Sequence, residues 1–235
     1  MTVGEGKQDK VLVSRYDGKL YATGAYCSHF GVDLKWGMLF GRRVICPAHG
    51  ASFDVVDGSL LTNPGLDGIP TYQIVEDHSG TYVSVPEDGL KAQSVERKLT
   101  PRDPNDPRNY VIIGGGAAGM NCAENLRYSG YAGKITMISP ENMLPYDRTM
   151  LSKALPVGDA DKWKMRCPGF HKRASIDIIK DKVYSIHPDV KKLALERGEA
   201  IAYDKVLIAT GGDPRRPPIP GMGSKNVCVL RSNQD

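Results

Sequence analysis

Four residues in this chain have the types and spacing to hold a redox metal centre. They stand as Cys27-Ser28-His29 and, sixteen residues on, Cys46-Pro47-Ala48-His49. Each short segment supplies one thiolate and one imidazole. A zinc finger usually groups two Cys in one segment and two His in the other. A binuclear iron–sulfur cluster of mixed ligation needs two Cys on one iron and two His on the other. Two tight loops lying side by side, each giving one Cys and one His, meet that need. A Cys2His2 zinc site, or four unrelated residues, remain the alternatives at this level.

A second pattern lies further along. Tyr110-Val111-Ile112-Ile113 reads as a buried strand and runs into Gly114-Gly115-Gly116-Ala117-Ala118-Gly119. Helix formers with an apolar stripe follow to about Ser129. Residues 134–138 form the next strand, and Glu141 lies just beyond it. Strand, glycine loop, helix, strand and acid in this order make a dinucleotide-binding fingerprint. Gly114, Gly116, Ala117, Ala118 and Gly119 let the backbone approach a pyrophosphate at a helix N-terminus. Glu141 can accept a hydrogen bond from a ribose hydroxyl.

The elements that must position these groups fall into two sets. Asp17-Gly18 sits between two β-prone runs and predicts a hairpin. Arg43-Val44-Ile45 predicts a strand entering the second ligand segment, Asp57-Gly58 a turn, and residues 72–75 and 81–85 paired strands. Residues 1–97 therefore read as an all-β domain whose first strands are missing or unread. Residues 98–109 carry three prolines and mixed charge and read as an exposed linker. Residues 110–235 read as the N-terminal part of an α/β, Rossmann-like domain. The expected fold class is thus multi-domain, all-β followed by partial α/β.

Composition removes several function classes. The net charge is +4, from 31 basic and 27 acidic residues. The basic residues form no run or face of the kind that binds nucleic acid. No apolar run approaches the ~20 residues of a membrane span. The stretch from Met1 to Gly6 is neither a signal nor a transit peptide. Five cysteines, with Cys122, Cys167 and Cys228 far apart, read as reduced thiols and not as a disulfide framework. Cys122 reads as a packing residue, and His78, His171 and His187 as surface or packing residues. No mononuclear-iron His/His/carboxylate set follows the first domain, which argues against an oxygenase.

Phe30-Gly31 after the first segment and Gly50-Ala51-Ser52-Phe53-Asp54 after the second resemble the cluster-binding loops of Rieske ferredoxins. The resemblance implies a Rieske-type [2Fe–2S] cluster with Cys27, His29, Cys46 and His49 as its metal ligands. The run from Pro145 to Lys153 (Pro-Tyr-Asp-Arg-Thr-Met-Leu-Ser-Lys) resembles the flavin-contacting segment of ferredoxin reductases. It implies FAD, with Arg148 at the phosphates or ribitol and Lys153 near flavin N5. The strand leading to Ala209-Thr210-Gly211 resembles a family strand whose end, here Thr210 and Gly211, passes close to the cofactor, and Val183 matches a position whose backbone meets the adenine.

The whole order resembles the Rieske-containing relatives of apoptosis-inducing factor. That resemblance implies a flavoprotein oxidoreductase passing electrons between NAD(P)H, FAD and the cluster, in the cytoplasm or mitochondria. The alternative is a non-enzymatic Rieske carrier or sensor, or an apoptosis-linked signalling module with a degenerate flavin domain. No second glycine fingerprint precedes Asp235, so the expectation is a chain without the family's NAD-binding domain. Such a chain would bind FAD weakly, react slowly with NADH, and take that domain from a partner chain. The electron acceptor, protein or small molecule, is unspecified by these residues. No acid–base pair stands out, so no catalytic proton-transfer residue is assigned.

One prediction rests on what the loops lack. High-potential Rieske proteins carry an extra Cys in each loop and Ser and Tyr hydroxyls near the sulfurs; the matching positions here are Val32, Ala48, Ala51 and Phe53. Hydrogen bonds to sulfur favour the reduced cluster. Potentiometric titration should therefore give a potential at the low end of the Rieske range, about −150 mV, and Phe53→Tyr should raise it. A value far above zero for the unsubstituted protein contradicts the reading.

Overall fold

A computed structural model describes residues 9–153 and 163–235; the stretch from Met1 to Gly6 lies outside them. The chain divides into two compact units, Met1–Lys98 and Leu99–Asp235.

The first unit begins with a hairpin of β1 (Val11–Tyr16) and β2 (Lys19–Gly24). The turn needs positive φ at both central residues, and Asp17 (φ 48) and Gly18 (φ 73) supply it. Four short strands follow: β3 (Met38–Phe40), β4 (Arg43–Ile45), β5 (Ser52–Asp54) and β6 (Leu60–Thr62), paired in that order. Then β7 (Thr71–Asp77) returns to pair with β2, and β8 (Gly80–Ser84) closes a second sheet of order β1-β2-β7-β8. Every pairing is antiparallel. Leu34, Val44, Phe53, Val55 and Ile69 form one buried cluster with Cys27 and Cys46. The two cysteines are thus seated in the unit's core, so its packing holds their loops.

The second unit is built on a parallel sheet. β9 (Asn109–Ile113) leads through the glycine loop into α1 (Ala117–Tyr128), then β10 (Lys134–Ser139). A short helix, α2 (Phe170–Arg173), precedes β11 (Ile176–Lys180). A three-stranded antiparallel meander follows: β12 (Val183–His187), β13 (Lys192–Leu195) and β14 (Ala200–Ala202). β15 (Lys205–Ile208) then rejoins the first sheet, whose order is β11-β10-β9-β15.

Side chains alternate across β9 and β10 as the pleat requires. Ile112, Ile135 and Met137 pack with Met120 and Ala123 of α1 and with Phe170. Val111, Ile113 and Ile138 face the other way, against Leu193, Leu195 and Tyr203. Helices cover one face and the meander the other, which explains the near-continuous apolar runs. Arg127, 0% exposed, fixes the end of α1 by donating to the carbonyls of Tyr131, Gly133, Ala174 and Ser175 at 2.7–2.9 Å. Its charge has no carboxylate partner among these bonds; carbonyl dipoles satisfy it.

The Pro-rich stretch is largely exposed, but it is tied to the second unit. Leu99 packs on the α1 side of the sheet, and the amides of Thr100 and Asp103 donate to the carbonyls of Arg127 and Ala132 at 3.0 and 2.8 Å. Among the described residues no helix is long and apolar enough to cross a membrane.

Gly119 shows how tightly the glycine loop is built. A Cβ there would stand 2.0 Å from the Gly114 carbonyl oxygen, which is backbone and cannot yield. Gly119→Ala should destabilise the second unit by about 1–3 kcal/mol, seen as a lower midpoint in thermal melting. An unchanged midpoint contradicts this packing.

Candidate functional site

The two ligand loops are built alike. The Cys27 amide donates to the Val32 carbonyl at 2.9 Å, and the Gly31 amide donates back to the Cys27 carbonyl at 2.9 Å. In the second loop the Cys46 amide donates to Ala51 at 2.8 Å and the Gly50 amide to Cys46 at 3.1 Å. The turn in each needs a left-handed residue, and Gly31 (φ 67) and Gly50 (φ 76) provide it. A four-residue offset of glycine from cysteine is thus a structural requirement of both loops.

The four donors pair two and two. The side chains of Cys27 and Cys46, both buried, are within hydrogen-bonding reach of each other. The rings of His29 and His49 lie 5.0 Å apart, edge to face. Two thiols in one pair and two imidazoles in the other suit two irons better than one tetrahedral zinc. The backbone amides of His29 and Phe30 also donate to the Cys27 sulfur. Burial pushes the Cys27 thiol up to about 11, and Cys46 beside it adds to the rise. A thiol so placed loses its proton to a metal and not to solvent at neutral pH. The donor set therefore fits a [2Fe–2S] cluster.

A third segment supports the first loop. The Ser28 hydroxyl donates to the Asp67 carbonyl at 2.7 Å. Phe53, 0% exposed, packs beneath both cysteines, and Ala51 is equally buried.

The glycine loop opens a cleft of about 670 Å³ at the C-terminal ends of the parallel strands. Gly114, Gly116, Ala117 and Ala118 line one side. Gly114 (φ 117) sits where a Cβ would stand 2.2 Å from the Ala209 carbonyl oxygen, whereas a Cβ on Gly116 would meet nothing within 4 Å. Gly114 thus serves close packing of β9 on the strand end at Ala209, and Gly116 leaves the cleft open. α1 begins there with no side-chain cap and no acidic residue in its first turn. Its first amides face the space a phosphate would take. Thr210 and Gly211 line the cleft after β15, and Val183 lines it at the start of β12. These groups fit a dinucleotide.

Glu141 and Arg148 also line the cleft, joined to each other by an ion pair. Two predicted residues stand elsewhere. Gly119 is buried against Gly114 and acts through packing. Lys153 is exposed, and its Nζ donates to the Thr149 carbonyl at 3.1 Å; it does not line the cleft. The short turn at 148–152 directs the lysine back along its own chain.

Sequence reasoning missed Arg231, Ser232 and Asp181, which complete the cleft wall. The Arg231 guanidinium lies against Gly211, and the Arg231 carbonyl accepts from Arg148 at 2.9 Å. No local pattern marks residues 231–232, because only the fold brings them back to the glycine loop. Cys122 packs beside the α1 core, and all five cysteines are free.

Residues 108–235 match the family described as pyridine nucleotide-disulphide oxidoreductase, and residues 2–73 match the Rieske [2Fe-2S] domain. The chain is 32% identical over 232 residues to apoptosis-inducing factor 3 of Homo sapiens, covering 96% of this chain and 38% of that protein. It is 36% identical over 129 residues to the ferredoxin reductase component of chlorobenzene dioxygenase from Cupriavidus sp. (strain PS12), 54% of this chain and 32% of that one. Among solved structures, the covalent putidaredoxin reductase–putidaredoxin complex is similar at 32% identity and TM-score 0.51, covering 56% of this chain and 33% of that chain. The chain spans between about a third and two-fifths of the length of these relatives.

The pairing of donors makes a direct prediction. His29→Ala should abolish the Rieske-type electron-resonance signal of anaerobically prepared protein, because one imidazole cannot replace two on the outer iron. An unchanged spectrum, or full zinc occupancy without iron, overturns the ligand set.

Proposed function

Because this chain belongs to the pyridine nucleotide-disulphide oxidoreductases and carries a Rieske domain ahead of that fold, we propose that it is an electron-transfer flavoprotein. The proposed cofactors are FAD and one [2Fe–2S] cluster, with NAD(P)H as the ultimate donor. Bound together, FAD exchanges electrons in pairs with a nicotinamide and singly with iron, which is cofactor chemistry that the protein only has to position.

The observation that carries the proposal is the co-occurrence on one chain of two built sites. The cysteine and histidine pairs give two-and-two ligation, and the glycine-lined cleft of about 670 Å³ meets an uncapped helix end. Each residue then has a role. The α1 amides hold the pyrophosphate. Glu141 accepts from a ribose hydroxyl, and Arg148 neutralises phosphate charge. Val183 offers its backbone to the adenine, and Thr210 and Gly211 allow close approach. The buried cysteines and the two imidazoles fix the cluster. Lys153 keeps its proposed place near flavin N5 only if its side chain leaves Thr149.

The electron acceptor is proposed to be a small redox protein or a small molecule, by analogy with relatives named as ferredoxin reductase components. A cytoplasmic or mitochondrial setting is proposed, in keeping with five free cysteines.

The test is electron exchange between the two centres. Protein loaded anaerobically with iron, sulfide and FAD should hold one FAD and two irons per chain, as ligation by one Rieske site requires. Light-driven reduction of the bound flavin should then make the Rieske electron-resonance signal appear. Bound flavin that is reduced while the cluster stays oxidised contradicts the electron-transfer reading. A cluster-loaded protein that takes up no flavin points to a carrier or sensor.

A further inference from the structure

One buried polar group, bonded to both charged residues Glu141 and Arg148 of the cleft, is used by none of the roles above. Tyr146 is 3% exposed, and its ring packs with Leu151 and Trp163. Its hydroxyl stands at a junction. It donates to Glu141 Oε2 at 2.8 Å, accepts from Arg148 Nη1 at 2.9 Å and accepts from the Asn233 amide at 3.3 Å. A phenol has one donor and two lone pairs, so its hydrogen-bonding capacity is full. The Arg148 guanidinium also lies over the Tyr146 ring, 5.0 Å from its centroid.

The connections close a ring of contacts around the two charged residues of the cleft. Arg148 reaches Glu141, the tyrosine hydroxyl and the Arg231 carbonyl, and Glu141 reaches Arg148 and the hydroxyl. Glu141 follows β10, and Arg148 begins a short turn seven residues later, so no shared element fixes their separation. The ring of Tyr146 is held by apolar packing, and its hydroxyl is the fixed point between them. Burial, and after it the bond to Glu141, raise the tyrosine pKa. The hydroxyl therefore keeps its proton and remains a donor to the carboxylate.

We propose that Tyr146 is a positioning residue of the cleft: its hydroxyl orients Glu141 and Arg148 toward a bound dinucleotide and pins residues 231–233 along the cleft wall. The dinucleotide part rests on the function proposed above. Glu141 and Arg148 face the ligand, while Tyr146 acts through them. Free glutamate and arginine side chains would lose several rotors' worth of freedom on binding. Held by the phenol, they have lost that freedom already.

The variants Tyr146→Phe, Glu141→Gln and their combination, made in the full chain, test this. Phe keeps the ring packing and removes only the hydroxyl. Flavin-fluorescence titration should show FAD affinity reduced about tenfold in Tyr146→Phe, the effect of losing one hydrogen bond to a charged group. The loss in the double variant should be smaller than the sum of the two single losses, because part of the hydroxyl's effect passes through Glu141. Purely structural damage would leave the losses additive. FAD affinity equal to the parent in Tyr146→Phe, or additive losses, overturns the proposal.

A second readout needs no flavin. Trypsin cleavage after Arg231, followed by mass spectrometry, should be faster in Tyr146→Phe than in the parent, because the Asn233 amide loses its acceptor and Arg148, which donates to the Arg231 carbonyl, is no longer held by the hydroxyl. Equal cleavage rates overturn the pinning role. If the parent takes up no FAD, the dinucleotide reading has failed by itself, and the cleavage rates then decide the role of Tyr146.

Discussion

The placement of the paired Cys and His side chains in the first unit depends on four backbone hydrogen bonds. The amide of each cysteine donates across its loop, and the glycine four residues later donates back to the cysteine carbonyl, with lengths of 2.8–3.1 Å. These bonds fix the direction of the Cys and His side chains without using the side chains themselves. That matters because the proposed cluster would take its ligands from these thiolates and imidazoles. It also explains why Phe53 and Ala51 are fully buried beneath the loops. Loops held only by their own bonds would fray, and apolar packing below them prevents it.

The second unit solves a related problem with glycine. A pyrophosphate needs bare backbone at a helix start, and the helix must also sit close to the sheet. Gly114 and Gly119 answer the packing demand, since a Cβ at either would strike a carbonyl oxygen at 2.0–2.2 Å. Gly116 answers the ligand demand, facing open space. The three glycines of the fingerprint are therefore not interchangeable. In both units the backbone prepares the site, and side chains with charge or metal affinity complete it.

Much of this was legible in the sequence. The Asp17-Gly18 hairpin, strand 43–45, the paired strands of the first unit and the strand–loop–helix–strand opening of the second all lie where local pattern put them. Local chemistry governs each: a turn that needs positive φ, a buried strand, a glycine loop. The cleft collected nine of the eleven residues read as cofactor contacts. Lys153 and Gly119 stand apart for different reasons. Gly119 serves the packing role that its motif position carries. Lys153 depends on the course of a short turn, which residue spacing does not encode. Arg231, Ser232 and Tyr146 were missed because their roles come from contacts across 80 or more positions, or from a hydroxyl inside a motif read only for its charges.

One buried histidine, His171, shows what burial does to a titratable ring that has no place in the cleft. It is 6% exposed, neither ring nitrogen has a hydrogen-bond partner, and burial together with the nearby Arg166 charge lowers its pKa. It is a neutral ring packed against Phe170, and it does not line the cleft. Proton-transfer catalysis requires a group poised near the operating pH and within reach of a reacting atom. Electron transfer requires neither. It asks that two centres be held still and their potentials set by charge, burial and hydrogen bonding to sulfur. Buried cysteines, glycines packed to contact and charged residues bonded to a phenol suit the electron-transfer role proposed above. That is the pattern expected of a protein whose chemistry belongs to its cofactors.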